Sequence, residues 1–213
     1  MFDEKDIDLL RCEISSRMSG FRLSHTLGVE KMAVRLGRMF LQDKIHILRA
    51  AALLHDITKE NSFEKQLQIC EKLGIIIPLC AKASPKTMHA LTASAIIPIE
   101  FPKFASPEVV DAVRWHTTGR ADMSLCEKLI YLADYIEEGR SFDDCVTLRN
   151  YFFEPQPEFM NDKDRLLHLE RTLILSLDMT IKQLIDEGAV IDRATFEARN
   201  HLILSASGYD STR

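Results

Sequence analysis

The sequence predicts an all-α fold, and three observations carry that prediction. Apolar residues recur mostly at three- and four-residue spacing, as a helix with one buried face requires. Glycine and proline are sparse, 8 and 7 among 213 residues, so few positions interrupt a helical run. Helix-start signatures recur, among them Ser106-Pro107-Glu108 and the pair Ser124 with Glu127.

Asp6 to Ser19 reads as a first helix, and Leu23 to about Leu41 as a second with His25 near its start. Asp43 can cap a third, Lys44 to His55, whose run IHILRAAALLH reads as the most buried segment. Asn61 with Glu64 offers a capping box for Phe63 to Leu73, and Gly74 stops that helix. Pro85 to Ile97 is a weaker helix, and FPKFASP after it is a break. Ser106 then supplies a cap, Pro107 a favoured first position, and Glu108 an acid at the positive helix end. Ser124 and Glu127 open Leu125 to Glu137. The stretch YFFEPQPEFMNDKD reads as a linker or surface loop. A long helix to about Asp186 follows it, with Gly188 as terminator and a last helix from Arg193 to Leu204. Ile75 to Ile77 and Ala95 to Ile99 are short enough to be strands instead.

Composition narrows the function classes. An apolar share of 46% suits one domain over 1–213 with a sizeable core. The net charge of -5 offers no general attraction for nucleic acid, although a bound metal could still draw an anionic substrate. Five cysteines, at 12, 70, 80, 126 and 145, form no CxxC pair and are odd in number, which points to a reducing compartment. The segment MFDEKDIDLLR has no basic region followed by an apolar run, so a cytoplasmic location is expected. Ala50 to Leu54 and Ile75 to Leu79 are far too short to cross a bilayer.

His55-Asp56 ends the most apolar run, where bare ionisable groups are costly unless paired or bound to metal. The dipeptide alone means little. His25, His89, His116 and Asp134, however, also flank apolar stripes on separate predicted helices. Four imidazoles and two carboxylates are enough for two transition ions if those helices converge. Such donors suit iron, manganese or zinc, and a structural thiolate zinc site lacks its cysteines. Lys59 follows Asp56 by three positions and shares its edge if the helix continues that far. Arg22 lies one turn before His25. His46, His168 and His201 read as surface or packing residues, and Trp115 as an aromatic anchor that could also approach a base. No glycine-rich phosphate loop is present, which argues against an ATP-driven kinase or GTPase.

The ordered pattern His25, His55-Asp56, Asp134 resembles the HD-domain metallophosphohydrolase superfamily. More closely, SHTLGVEKMA, AALLHDITKE, WHTTGR and LIYLADYIEEGR together resemble the YqeK family of bacterial hydrolases, which split diadenosine tetraphosphate symmetrically. The likeness covers about residues 20–150 strongly and the C-terminal helices more weakly. It implies an HD-domain helical bundle with a core near 20–150 and additional C-terminal helices over about 160–205.

It also implies a metal centre of His25, His55, Asp56, His89, His116 and Asp134, with Asp56 bridging two ions. These would be divalent or mixed-valence transition metals, iron foremost, manganese or zinc otherwise. Asp56, Lys59 and Arg140 become the catalytic set, and Arg22, Lys59 and Arg140 the nucleotide-phosphate contacts. The implied reaction is attack by a metal-bridging hydroxide on diadenosine tetraphosphate or a related nucleotide, giving two ADP. A homodimer is implied too, without membrane or stable nucleic-acid partners. Two departures stand out: the surroundings of His89, and Glu138 in place of the family's proline. An HD nucleotidase or deoxynucleotide triphosphohydrolase fits the four minimal ligands, and a nucleotide-responsive regulator or plain helical interaction module remain open.

Overall fold

The computed structural model describes residues 2–206, which form eleven α-helices joined by turns and short 3-10 segments, with no strand among them. The first four helices are α1 (Glu4–Arg17), α2 (Gly20–Phe40), α3 (Ile45–Leu54) and α4 (Phe63–Lys72). Next come α5 (Leu79–Ala83), α6 (Met88–Glu100), α7 (Pro107–Trp115) and α8 (Leu125–Ile136). The chain then adds α9 (Asp143–Phe153), α10 (Asp162–Asp186) and α11 (Arg193–Ala206). The fold is thus an all-α bundle with extra C-terminal helices α9 to α11.

Capping chemistry fixes most of the starts. Ser19, Ser106 and Asn161 accept from backbone N–H groups in the first turns of α2, α7 and α10. Ser124 and Glu127 form the expected reciprocal box on α8. Elsewhere the details differ from expectation. Ser62, not Asn61, caps α4. Asp43 makes no cap; it lies in a 3-10 turn, Gln42–Lys44, that leads into α3. Residues 95–99 belong to α6, and 75–77 adopt no regular structure, so neither is a strand. YFF closes α9, an element that the linker reading overlooked. Gly74 and Gly188 do stop their helices. With φ of +64° and +62° they adopt left-handed conformations that let the next residue's N–H reach back into the last turn.

The core centres on α3. Leu48, Leu53 and Leu54 are fully buried, and burying each such side chain contributes roughly 1.5–3 kcal/mol. Ala50, Ala51 and Ala52 keep its surface shallow, so α1, α2, α7 and α8 pack closely around it. The one charged residue of this helix, Arg49, is buried against Glu30 at 2.8 Å, and Arg11 reaches the same carboxylate at 2.7 Å. That shared pair ties α1, α2 and α3 together. The C-terminal helices join through α10, where Lys128 meets Glu170 at 2.8 Å and the buried Tyr131 hydroxyl lies 3.4 Å from Ser176. The consequence is positional: the ends of α3, α7 and α8 are anchored in the apolar core, so polar groups placed there are held at fixed locations.

Candidate metal centre

The six expected ligands converge. His25 projects from the second turn of α2, His89 from the first turn of α6 and Asp134 from the last turns of α8. His55 and His116 stand immediately after the last residues of α3 and α7. Past Leu54 the backbone tightens: Ile57, Lys59 and Asn61 N–H groups bond to carbonyls three residues back. The α-helix therefore does not continue to Lys59. The tighter turn still puts Asp56 and Lys59 on one side, because residues three apart eclipse at three per turn.

Two His/Asp groups capable of holding divalent ions result. One is His25, His55 and Asp134; the other is His55, Asp56 and His116. Asp134 Oδ1 lies 3.0 Å from His25 Nε2 and 3.8 Å from His55 Nε2. Asp56 faces both groups with different oxygens. Its Oδ2 lies 3.5 Å from His55 Nε2 and 3.8 Å from His25 Nε2. Its Oδ1 lies 3.1 Å from His89 Nε2 and 3.7 Å from His116 Nε2. His25 Nε2, His55 Nε2 and Asp56 Oδ1 are buried without a hydrogen-bond partner, the condition expected of atoms whose partner is a cation. The donor set fits a metal pair.

The other ring nitrogens are occupied, which decides how each ring is oriented. His55 Nδ1 donates to the Ala52 carbonyl at 2.6 Å and His116 Nδ1 to the Val113 carbonyl at 2.7 Å, each within its own helix. His25 Nδ1 instead reaches Glu137 Oε1 at 3.2 Å. His89 lies 3.1 Å from His116 Nε2, and Lys59 Nζ is 3.2 Å from each of its ring nitrogens. Thr58, whose hydroxyl donates to the His89 carbonyl and pairs with Thr92, steadies that turn of α6.

Electrostatics follows burial and partners. Burial disfavours the charged His25, but the Asp134 and Glu137 carboxylates outweigh it and raise its pKa to about 9. His55 and His89 fall to about 4, chiefly through burial, against the pull of Asp56. Burial would raise Asp56 and Asp134, yet the histidines around them, and Arg140 beside Asp134, hold both well below the usual carboxylate range. Three cations rim the centre. Arg22 Nη1 contacts Asp56 Oδ2 at 2.5 Å, and Arg140 Nη2 contacts Asp134 Oδ1 at 2.6 Å. Lys59 is shifted down by burial, opposed by Asp56 and Asp134. The Nε atoms of Arg22 and Arg140 are buried and unpartnered.

A cleft of about 880 Å³ opens beside the centre, lined by His116, Asp134, Arg140, Phe142, Lys182 and Gln183 among others. A smaller hollow of about 210 Å³, with Lys59, Gln66, Lys86 and His89, opens near its other flank. A further cleft, about 990 Å³, runs along α2 past Lys31 and Arg35, and none of the six residues lines it. The expected bystanders stay apart from the six. His46 packs on Phe2, His168 stacks on Phe152, and His201 lies near Asp122. Trp115 lines neither of the clefts beside the centre; Arg114 sits over its ring at 4.2 Å. Sequence reasoning missed Glu137, Thr58 and Arg149. The last donates to the carbonyls of Ile136, Glu137 and Arg140, clamping the turn after α8. Their one available signal was position: Glu137 and Thr58 lie inside the LADYIEEGR and HDITK blocks, and Arg149 follows the first of these by nine residues.

Known proteins resemble this chain in sequence and fold. The HD domain family model matches residues 22–139. A symmetrical bis(5'-nucleosyl)-tetraphosphatase from Bacillus subtilis (strain 168) is 33% identical over 63% of this chain and 70% of its own. One from Halalkalibacterium halodurans is 30% identical over 90% of this chain and 94% of its own. A crystal structure from Clostridium acetobutylicum, described as a predicted HD superfamily hydrolase involved in NAD metabolism, superposes with a TM-score of 0.78 at 32% identity. It covers 96% of this chain and 99% of that one. No described helix is long and apolar enough to cross a membrane. With ligand geometry, family model and near full-length relatives in agreement, the chain belongs to the HD-domain superfamily of metal-dependent phosphohydrolases, related within it to the YqeK family of symmetrical bis(5'-nucleosyl)-tetraphosphatases.

Proposed function

We propose that the chain hydrolyses diadenosine tetraphosphate, or a closely related dinucleoside polyphosphate, symmetrically: one water is consumed, the central phosphoanhydride bond breaks, and two ADP leave. The observation that carries this reading is the split of Asp56, one oxygen toward His25 and His55 and the other toward His89 and His116. In this reading His25, His55, Asp56 and Asp134 hold one ion, and Asp56, His89 and His116 hold the second. Iron is the proposed metal, with manganese and zinc compatible with the same donors. Such a pair, when bound, lowers the proton affinity of water and neutralises charge at the attacked phosphorus.

The rest of the work falls to side chains of this chain. Asp56 orients and does not act as a free base. Arg140 and Lys59, half-buried at the rims of the two hollows, donate to the polyphosphate and to the departing ADP oxygens, where exclusion of water strengthens each contact. Arg22 adds positive charge beside Asp56. The 880 Å³ cleft is large enough to take one nucleoside, with Phe142 exposed at its wall. We further propose that the protein acts as one domain over 1–213, in the cytoplasm, as a homodimer, which mass in solution would test.

Chromatography of early products from metal-loaded protein tests the reaction. ADP alone is expected. AMP with ATP would refute the symmetric cut, since the attacked phosphorus would then be an outer one. Mononucleotides and a nicotinamide dinucleotide belong in the same assay, because the Clostridium relative is described as involved in NAD metabolism. Preference for one of them would shift the substrate within the same chemistry.

A further inference from the structure

His25 is the only one of the four converging histidines whose outer ring nitrogen meets a carboxylate. That carboxylate, Glu137, is 3% exposed and occupies a shaped cradle. Its Oε1 lies 3.2 Å from His25 Nδ1 and its Oε2 accepts the Gly139 N–H at 2.6 Å. A methyl group at Gly28 would stand 2.4 Å from Oε2, and one at Gly139 would stand 3.0 Å from it, so both glycines leave space that the carboxylate fills. Arg149 fixes the same turn by bonding the Glu137 carbonyl at 2.6 Å. We propose that Glu137 is a positioning residue that holds His25 with Nδ1 protonated and Nε2 aimed at the centre, so that the ion of the His25, His55 and Asp134 group depends on it while the ion beside His116 does not.

The inference rests on the two-ion reading above, and the physical reason lies in acceptor geometry. A carboxylate offers two acceptors, and both are used: one by an imidazole N–H, one by a backbone N–H. Gln has one acceptor and one donor at the same places, so Glu137→Gln leaves either the Gly139 N–H or the His25 Nδ1–H facing another donor. Loss of a group that orients a metal-bound histidine commonly costs 10–100-fold in metal affinity.

Equilibrium titration of metal-free protein with manganese or iron(II), with substrate absent, tests this. Wild type should take two ions, and His25→Ala one. Glu137→Gln should bind the same ion that His25→Ala loses roughly 10–100-fold more weakly, with the other ion's affinity unchanged and Glu137→Asp intermediate. Gly28→Ala should reproduce that defect by displacing the carboxylate, and adding it to Glu137→Ala should cost nothing further. Thermal melting of the metal-free variants checks that each is folded; if Glu137→Gln is not, the Gly28→Ala result and its non-additivity carry the test. Two ions held at wild-type affinity by both Glu137→Gln and Gly28→Ala would overturn the proposal while leaving the two-ion reading intact. A wild-type protein that takes no ions, or a His25→Ala variant that keeps both, would overturn that reading and the proposal with it.

Discussion

On the Asp134 side of the centre, the outer nitrogen of His25 meets a glutamate from another element, 112 positions along the chain. On the opposite side His116 is oriented by a carbonyl of its own helix, and His89 lies beneath Lys59. In the first half His25 is oriented by a distant side chain; in the second, His116 is oriented by the turn geometry of its own helix end, as His55 is. Local geometry comes with the helix, whereas distant geometry exists only after the core has closed. His25 should therefore be more easily disturbed than His116 by substitutions that leave secondary structure untouched.

The comparison breaks most completely at Asp56, the residue both halves share. Asp56→Ala should lose both ions and all measurable turnover; an active, metal-loaded variant would contradict the bridge. Separating the halves comes next. Asp134→Ala and His116→Ala should each strip one ion and leave the other, and metal analysis after gentle purification reads this directly. Equal loss of both ions in either variant would mean that the halves are one cooperative site. Lys59→Ala should keep both ions yet slow turnover by about 10²-fold, the order expected for removing one donor at developing charge. Ion loss would instead make Lys59 a support of His89. A smaller effect belongs to Thr58→Val, which removes the hydroxyl bonded to the His89 carbonyl. It should lower stability by about 1 kcal/mol in a denaturant titration and weaken only the second ion. His46→Ala, which touches Phe2 and neither half, should change neither ion content nor turnover.

What was legible in the sequence follows the same division. Ser106-Pro107-Glu108 and Ser124 with Glu127 announced α7 and α8 because capping is settled within four residues. The positions of His25, His55, Asp56, His89, His116 and Asp134 were readable as a spaced pattern, though their convergence needed the family likeness. The end of α3 was readable to within one residue, His55 against Leu54, whereas the tightened turn beyond it shows only in its backbone hydrogen bonds. The α9 helix was missed because Phe142 offers no side-chain cap and only Cys145, Leu148 and Phe152 are buried. Glu137 was missed for the reason that makes it interesting, since nothing near it in sequence tells which histidine it will meet.

The cleft beside the metal centre has two walls of different origin. His116, Asp134 and Arg140 stand on one, within or next to the stretch matched by the family model, 22–139. Thr180, Gln183 and Asp186 stand on the other, all on α10 and well outside that stretch. On the proposed reading, in which this cleft admits the nucleoside, reaction and choice of molecule are written in separate parts of the gene. On that reading, drift along one face of α10 would retune which nucleotide is admitted while every residue facing the proposed ions stays as it is.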